Sequence, residues 1–116
     1  MTRQETRDAL AGMSSGEPGS IARAVGLREG TADPLSLSGT TVALVRIATL
    51  IALDAPPASY GRQVEAALQA GASPEDILGV LHAVAPQVGT PRVVAAAPEL
   101  MLALGMTLPG GEDEDA

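Results

Sequence analysis

Apolar and polar positions divide the chain into blocks of unequal strength. Residues 3–12 mix charged and small side chains and read as a short, exposed helix. The stretch MSSGEPGS breaks it. SIARAVGL predicts a weak second helix with Ile21, Val25 and Leu27 as its apolar contacts, and REGTADP is another break. The strongest block is LSLSGTTVALVRIATLIALD, a helix capped by Ser38 or Thr40 and running to about Leu53. Its apolar positions, Val42, Leu44, Val45, Ile47, Ala48, Leu50, Ile51 and Leu53, cover nearly the whole circumference. A helix that is apolar all round must be buried all round. In so small a domain, that implies burial between subunits as well as within one.

Pro56 and Pro57 end this block, and Pro57 suits the first position of the next helix. There Val64, Ala67 and Leu68 face inward, while Arg62, Glu65 and Gln69 face out. Gly71 is placed as a left-handed C-cap. SPED then starts another helix: Ser73 as N-cap, Pro74 at the first helical position, and Glu75 and Asp76 where the helix dipole favours acids. Ile77, Leu81 and Val84 form its inner stripe, and it is expected to stop before Pro86. In the last helix Thr90 is the cap and Pro91 the start. Val93, Ala97, Leu100, Met101 and Leu104 share a face, Pro98 kinks it and Gly105 ends it. The pattern predicts an all-α chain with four core helices. Residues 1–34 are an N-terminal arm that docks on a neighbour, 35–105 the helical domain, and 106–116 an acidic, disordered tail.

Composition narrows the chemistry. The 116 residues predict one domain, and 46% hydrophobic residues suffice for a core, yet Tyr60 is the single aromatic side chain. The interior must be built from small aliphatic residues, which suits close helix packing. The absence of cysteine excludes disulfides, thiolate metal sites and cysteine nucleophiles. A single histidine argues against a protein-only zinc site within one chain. All seven basic residues are arginine, so Schiff-base chemistry is excluded too. Neither a metal nor a cofactor is implied. The net charge is −7, with four of the acids in Glu112–Asp115, and the few dispersed arginines make no nucleic-acid footprint. The longest apolar stretch, Ile47 to Leu53, is far short of the ~20 residues of a membrane span. The N-terminus has no apolar signal region. The chain reads as soluble and cytoplasmic.

Five residues are candidates for a site from their side chains and positions. Asp54, at the end of the apolar helix, either bonds free amides in the turn or orients Ser59 or Tyr60 at a pocket. Ser59 and Tyr60 can donate hydrogen bonds to a substrate oxyanion. Tyr60 is otherwise a core or interface aromatic with its hydroxyl satisfied. His82 is either a half-buried histidine bonded to a backbone carbonyl or an acid, or a general acid/base between helices. Arg46 interrupts the buried helix and needs a partner. That partner is a structural acid such as Glu99 or Asp54, or the carboxylate of an acidic metabolite.

From Leu37 to Leu104 the chain resembles the carboxymuconolactone decarboxylase family, which includes the alkylhydroperoxidase D-like proteins. The resemblance rests on LVRIATLIALDA, QVEAALQAGASPEDILGVL and VGTPRVVAAAP. It implies an all-α bundle that assembles as a homotrimer or homohexamer, which would bury the all-round apolar helix. The family's peroxidase branch uses a helical Glu, Cys, Cys, His motif that ends eight residues before the glycine of the following turn. Counting back from Gly71, Gln63 takes the His position, Ser59 and Pro56 the Cys positions, and Ala52 the Glu position. A thiol peroxidase needs a thiolate, so the resemblance is to a cysteine-free branch. The cofactor-free decarboxylase branch tends to carry the same His, and often a Tyr where this chain has Gln87. The expectation is a homo-oligomer that binds or transforms a small carboxylated metabolite without cofactor. If it is an enzyme, it is decarboxylase- or lyase-like. His82, Tyr60, Ser59 and Asp54 would carry the chemistry, and Arg46 and Gln63 would bind substrate. The rival expectation is a non-catalytic oligomeric scaffold.

Overall fold

The computed structural model describes residues 1–26 and 37–110. The predicted contact at Leu27, the REGTADP break and the acidic tail from Glu112 lie outside the described residues. Among these described residues there are six helices: α1 (Arg3–Ser14), α2 (Pro18–Val25), α3 (Gly39–Leu53), α4 (Pro57–Gln69), α5 (Pro74–Val88) and α6 (Thr90–Ala103). The fold is all-α, as expected. It divides into two compact units, residues 1–38 and 39–116. Among the described residues, no helix is long and apolar enough to cross a membrane.

In the N-terminal unit, α1 and α2 pack against each other. Their close approach depends on Gly12, where a Cβ atom would fall 2.3 Å from Ser20 Oγ. Thr2 caps α1 by accepting from the Glu5 amide. Glu17 caps α2 by accepting from the Gly19 and Ser20 amides. Hydrogen bonds from the Ser20 hydroxyl and these amides hold the Glu17 carboxyl below its usual range. Neither helix contains a buried residue. Val25, expected as an apolar contact, is 78% exposed, because two short helices cannot enclose a core.

The second unit is a bundle in which α3 packs on α4 and α5, and α6 packs on the same two, with a smaller α3–α6 contact. Its core comprises Ala43, Ile47 and Ile51 of α3, Tyr60, Val64 and Ala67 of α4, Ala72, Ile77 and Leu81 of α5 and its approach, and Ala96 and Leu100 of α6. Within one chain α3 buries one face only: Val45 and Leu53 are exposed, Leu53 at 72%. Leu68 also turns out to be exposed, leaving Val64 and Ala67 to anchor α4.

The connections are tight. α3, α4 and α6 each end in a residue with positive φ, Asp54 (52°), Gly71 (101°) and Gly105 (78°). At each, paired bonds close the last turn. At the first, the Asp54 amide donates to the Ile51 carbonyl and the Ala55 amide to Leu50. Asp54 is the one non-glycine residue with positive φ among those described. The Thr40 hydroxyl donates to the Ala70 carbonyl and ties the start of α3 to the end of α4. Thr40 therefore lies inside α3 and braces the hairpin, while Ser38 immediately precedes the helix.

α5 begins as expected, with a reciprocal capping box. The Asp76 amide donates to Ser73 Oγ (3.1 Å), and the Ser73 amide to Asp76 Oδ2 (2.9 Å). It does not stop before Pro86 but runs to Val88. The proline removes one donor to the His82 carbonyl near the helix end. Val84 and Val88, on either side, pack on the core and hold the last turn in register. Gly89 (φ 85°) then serves both as C-cap of α5 and as N-cap of α6, with no side-chain cap bond. Thr90 is accordingly the first residue of α6 rather than its cap, and the helix continues through Pro98.

Because Ser73 satisfies an otherwise unpaired amide at the start of α5, Ser73→Ala should lower stability by about 1 kcal/mol. A urea-unfolding midpoint that falls with an unchanged slope would bear this out, and an unchanged midpoint would show that the cap contributes nothing.

Candidate functional site

The α3–α4 corner brings several of the expected residues together. α3 ends in the left-handed turn at Asp54, and Pro57 starts α4 one residue after its N-cap, Pro56. The Ser59 amide donates to the Pro56 carbonyl, tightening the first turn of α4, and the Ser59 side chain is half-buried. Tyr60, the next residue, is 3% exposed and belongs to the core. Gln63 lies one turn further along α4, on Tyr60's side of the helix, and is half-buried.

Asp54 does more than close a turn. Its Oδ2 lies 3.0 Å from Arg92 Nη1, in the first turn of α6. Both side chains are about half exposed, so the pair contributes only ~0–1 kcal/mol. Against it stand a left-handed backbone and a negative charge at the C-terminal end of a helix, itself unfavourable by ~0.3–1 kcal/mol. The local terms roughly cancel. What the pair achieves is geometric: it joins the end of α3 to the start of α6 beside Tyr60.

Burial raises the Tyr60 phenol above its ordinary value of 10.0, and the charges of Asp54 and then Glu99 raise it further. Tyr60 is thus held as a neutral hydroxyl in a negative field supplied by α3 and α6. Glu99, considered in the sequence only as a partner for Arg46, acts on this tyrosine. Arg92 carried no sequence signal at all, because its contact with Asp54 depends on how four helices pack.

Arg46 is half-buried on α3 beside Ile47. The hairpin is closed at one end by the 54–57 turn and at the other by the Thr40–Ala70 bond. This antiparallel register sets Arg46 level with Gln63 and Val64 along the two helices. Gln63 Oε1 is buried and accepts no hydrogen bond, the one buried side-chain polar atom so left among the described residues. His82 lies elsewhere, on the exposed face of α5, one position from buried Leu81. Neither expectation, the half-buried histidine or the general acid/base between helices, is met within the single chain: the buried stripe of α5 is taken by Ile77 and Leu81.

Among the described residues, no three His, Asp or Glu side chains gather closely enough to hold a metal ion. A concave surface of about 560 Å³ lies along α1, lined by Arg3, Thr6, Arg7, Leu10, Ala11 and Ser14, none of them a candidate site residue.

The raised Tyr60 ionisation links to stability with a definite sign. As pH rises, the unfolded chain loses its phenolic proton first. The stability held by burying the neutral phenol is therefore complete below pH 10 and is lost as pH climbs through the folded value. With one tyrosine and no tryptophan, phenolate absorbance reads this residue alone. The expected midpoint lies above 10.0 and falls in Asp54→Asn. A midpoint at the ordinary value would contradict the burial and the field.

The geometry can be set beside known proteins. No curated protein and no solved structure matches the chain. The family model described as "Carboxymuconolactone decarboxylase family" matches residues 18–100. That span runs from the first residue of α2 to Leu100 in α6, and so takes in the Asp54 corner, Gly71, the Ser73 capping box and the Gly89 hinge. It also reaches further towards the N-terminus than the Leu37–Leu104 segment that carries the resemblance. With most of the chain matched and the helical bundle in place, the protein belongs to the carboxymuconolactone decarboxylase family.

Proposed function

We propose that this chain is a cysteine-free, homo-oligomeric member of its family that binds or transforms a small carboxylated molecule without a cofactor. A thiol peroxidase is ruled out by composition, since no residue can supply a thiolate. The observation that carries the proposal is the polar cluster around Tyr60. At a corner of an otherwise aliphatic bundle, a neutral phenol, the Asp54–Arg92 pair and Glu99 gather, and Gln63 follows one turn along α4; Arg46 stands on the neighbouring α3. In this arrangement Arg46 anchors the carboxylate, a task suited to a guanidinium. Tyr60, with Ser59 beside it, donates hydrogen bonds to developing negative charge. Decarboxylase- or lyase-like chemistry needs such donors but no redox group.

The surface supports the reading as a homo-oligomer. Val45 and Leu53 of α3, Leu78 of α5, and Val94 and Leu102 of α6 are exposed in one chain. A trimer or hexamer would cover them, and it would also enclose His82, which shares the exposed face of α5 with Leu78. A general-base role for His82 therefore depends on assembly.

The second reading is a non-catalytic scaffold that keeps the fold. It is favoured by the interior itself, in which every buried residue but Tyr60 is aliphatic among the described residues, and by the exposure of His82. One variant separates the two. Arg46→Ala should abolish the thermal stabilisation of the protein by short dicarboxylates while sedimentation shows the same oligomer. Loss of assembly instead would make Arg46 a structural ion-pair residue. Absence of any ligand-induced shift in the unmodified protein would favour the scaffold.

A further inference from the structure

The start of α6 is held more loosely than the rest of the helix. Gly89 (φ 85°) precedes it, and no side chain caps it. Pro98 has no N–H to give the Val94 carbonyl, so the backbone ladder is interrupted between the first turns of α6 and its remainder. Ahead of Pro98 the fully buried residue is Ala96, with Val93 and Ala97 partly buried, while Leu100 lies beyond it. Val94 is 65% exposed. A segment that buries so little apolar surface opens at low cost.

This segment also meets the sparser side of its surroundings. α6 packs less extensively on α3 than on α4 or α5. Leu53, next to Asp54 in the chain, is exposed and does not close the gap by packing. What crosses from α3 to the first turn of α6 is the Asp54–Arg92 pair, at 3.0 Å. Its α3 half is fixed, because the Asp54 and Ala55 amides are bonded into the turn. Its α6 half stands on the loosely held segment. Both side chains are about half exposed, so water can break and re-form the pair. Beside it is Tyr60, 3% exposed in the closed arrangement.

We propose that residues 90–97 form a gate, hinged at Gly89 and Pro98 and strapped shut by the Asp54–Arg92 pair, whose opening admits small molecules to Tyr60. This goes beyond the proposed function, because the gate works whatever ligand the corner receives.

Arg92→Gln removes the strap and keeps the Asp54 charge. Hydrogen exchange followed by NMR reads the gate. Amides of residues 94–97 should exchange about two- to fivefold faster in the variant. In the unmodified protein their exchange should vary little with urea below the unfolding transition, since a hinged segment exposes little surface. Tetranitromethane reads access to the phenol, because the chain has one tyrosine and no cysteine. Nitration should share the weak urea dependence and be about two- to fivefold faster in Arg92→Gln. An effect of charge alone has the opposite sign: an unpartnered Asp54 keeps the phenol protonated and slows the reaction. Nitration that is unchanged or slower in the variant would overturn the inference. So would exchange or nitration that climbs with urea as steeply as global unfolding does.

Discussion

The bundle must enclose a core with aliphatic side chains and a single ring, and most of its architecture follows from that constraint. Ile47, Ile51, Ile77 and Val64 are fully buried, each worth roughly 1.5–3 kcal/mol of hydrophobic stabilisation. Between them lie Ala43, Ala67, Ala72 and Ala96, which add little area but let helix axes come close. Such an interior is thin, and four helices cannot hide everything that α3 and α5 present. The apolar surface left on α3, α5 and α6 is the counterpart of this thin core, and it would give the proposed self-association a physical cause.

The same constraint explains why polar chemistry collects at one corner. An aliphatic interior has no partner for a charge, so ionic side chains are confined to helix ends and edges. Tyr60 is the exception: its ring completes the core, while its hydroxyl is kept neutral by burial and by Asp54 and Glu99. Asp54 joins the two regimes. Its backbone ends α3 in a conformation better suited to glycine, and its carboxylate reaches across to α6. A residue whose local stability terms nearly cancel, set beside the one buried phenol, is a reasonable place to look for function.

Features set by neighbours in the chain were legible in the sequence. The Ser73 N-cap, the left-handed Gly71, the helix end at Gly105 and the helix starting at Pro57 depend on a few adjacent residues and agree with the sequence reading; the structure adds the reciprocal bond from Asp76 and the positive φ of Gly105. Errors arose where packing outweighs a local rule. Pro86 was expected to end α5, but Val84 and Val88 carry the helix past it. Leu68 was assigned inward by spacing alone and lies at the edge of the face that α4 buries. For the site, Gln63 and Ser59 stand out by counting back from Gly71, Asp54 by its place at the end of the apolar helix, and Tyr60 as the single aromatic residue. The Asp54–Arg92 pair and the reach of Glu99 to Tyr60 join helices far apart in the chain, so no periodicity announces them.

The central claim is that the corner around Tyr60 receives a carboxylated ligand anchored by Arg46. The most direct measurement is fluorine NMR of the protein with 3-fluorotyrosine incorporated, because the single tyrosine gives a single reporter at the site itself. Titration with malate should move that resonance saturably in the unmodified protein and leave it in place in Arg46→Ala. A resonance that stays fixed throughout the titration of the unmodified protein would contradict the account.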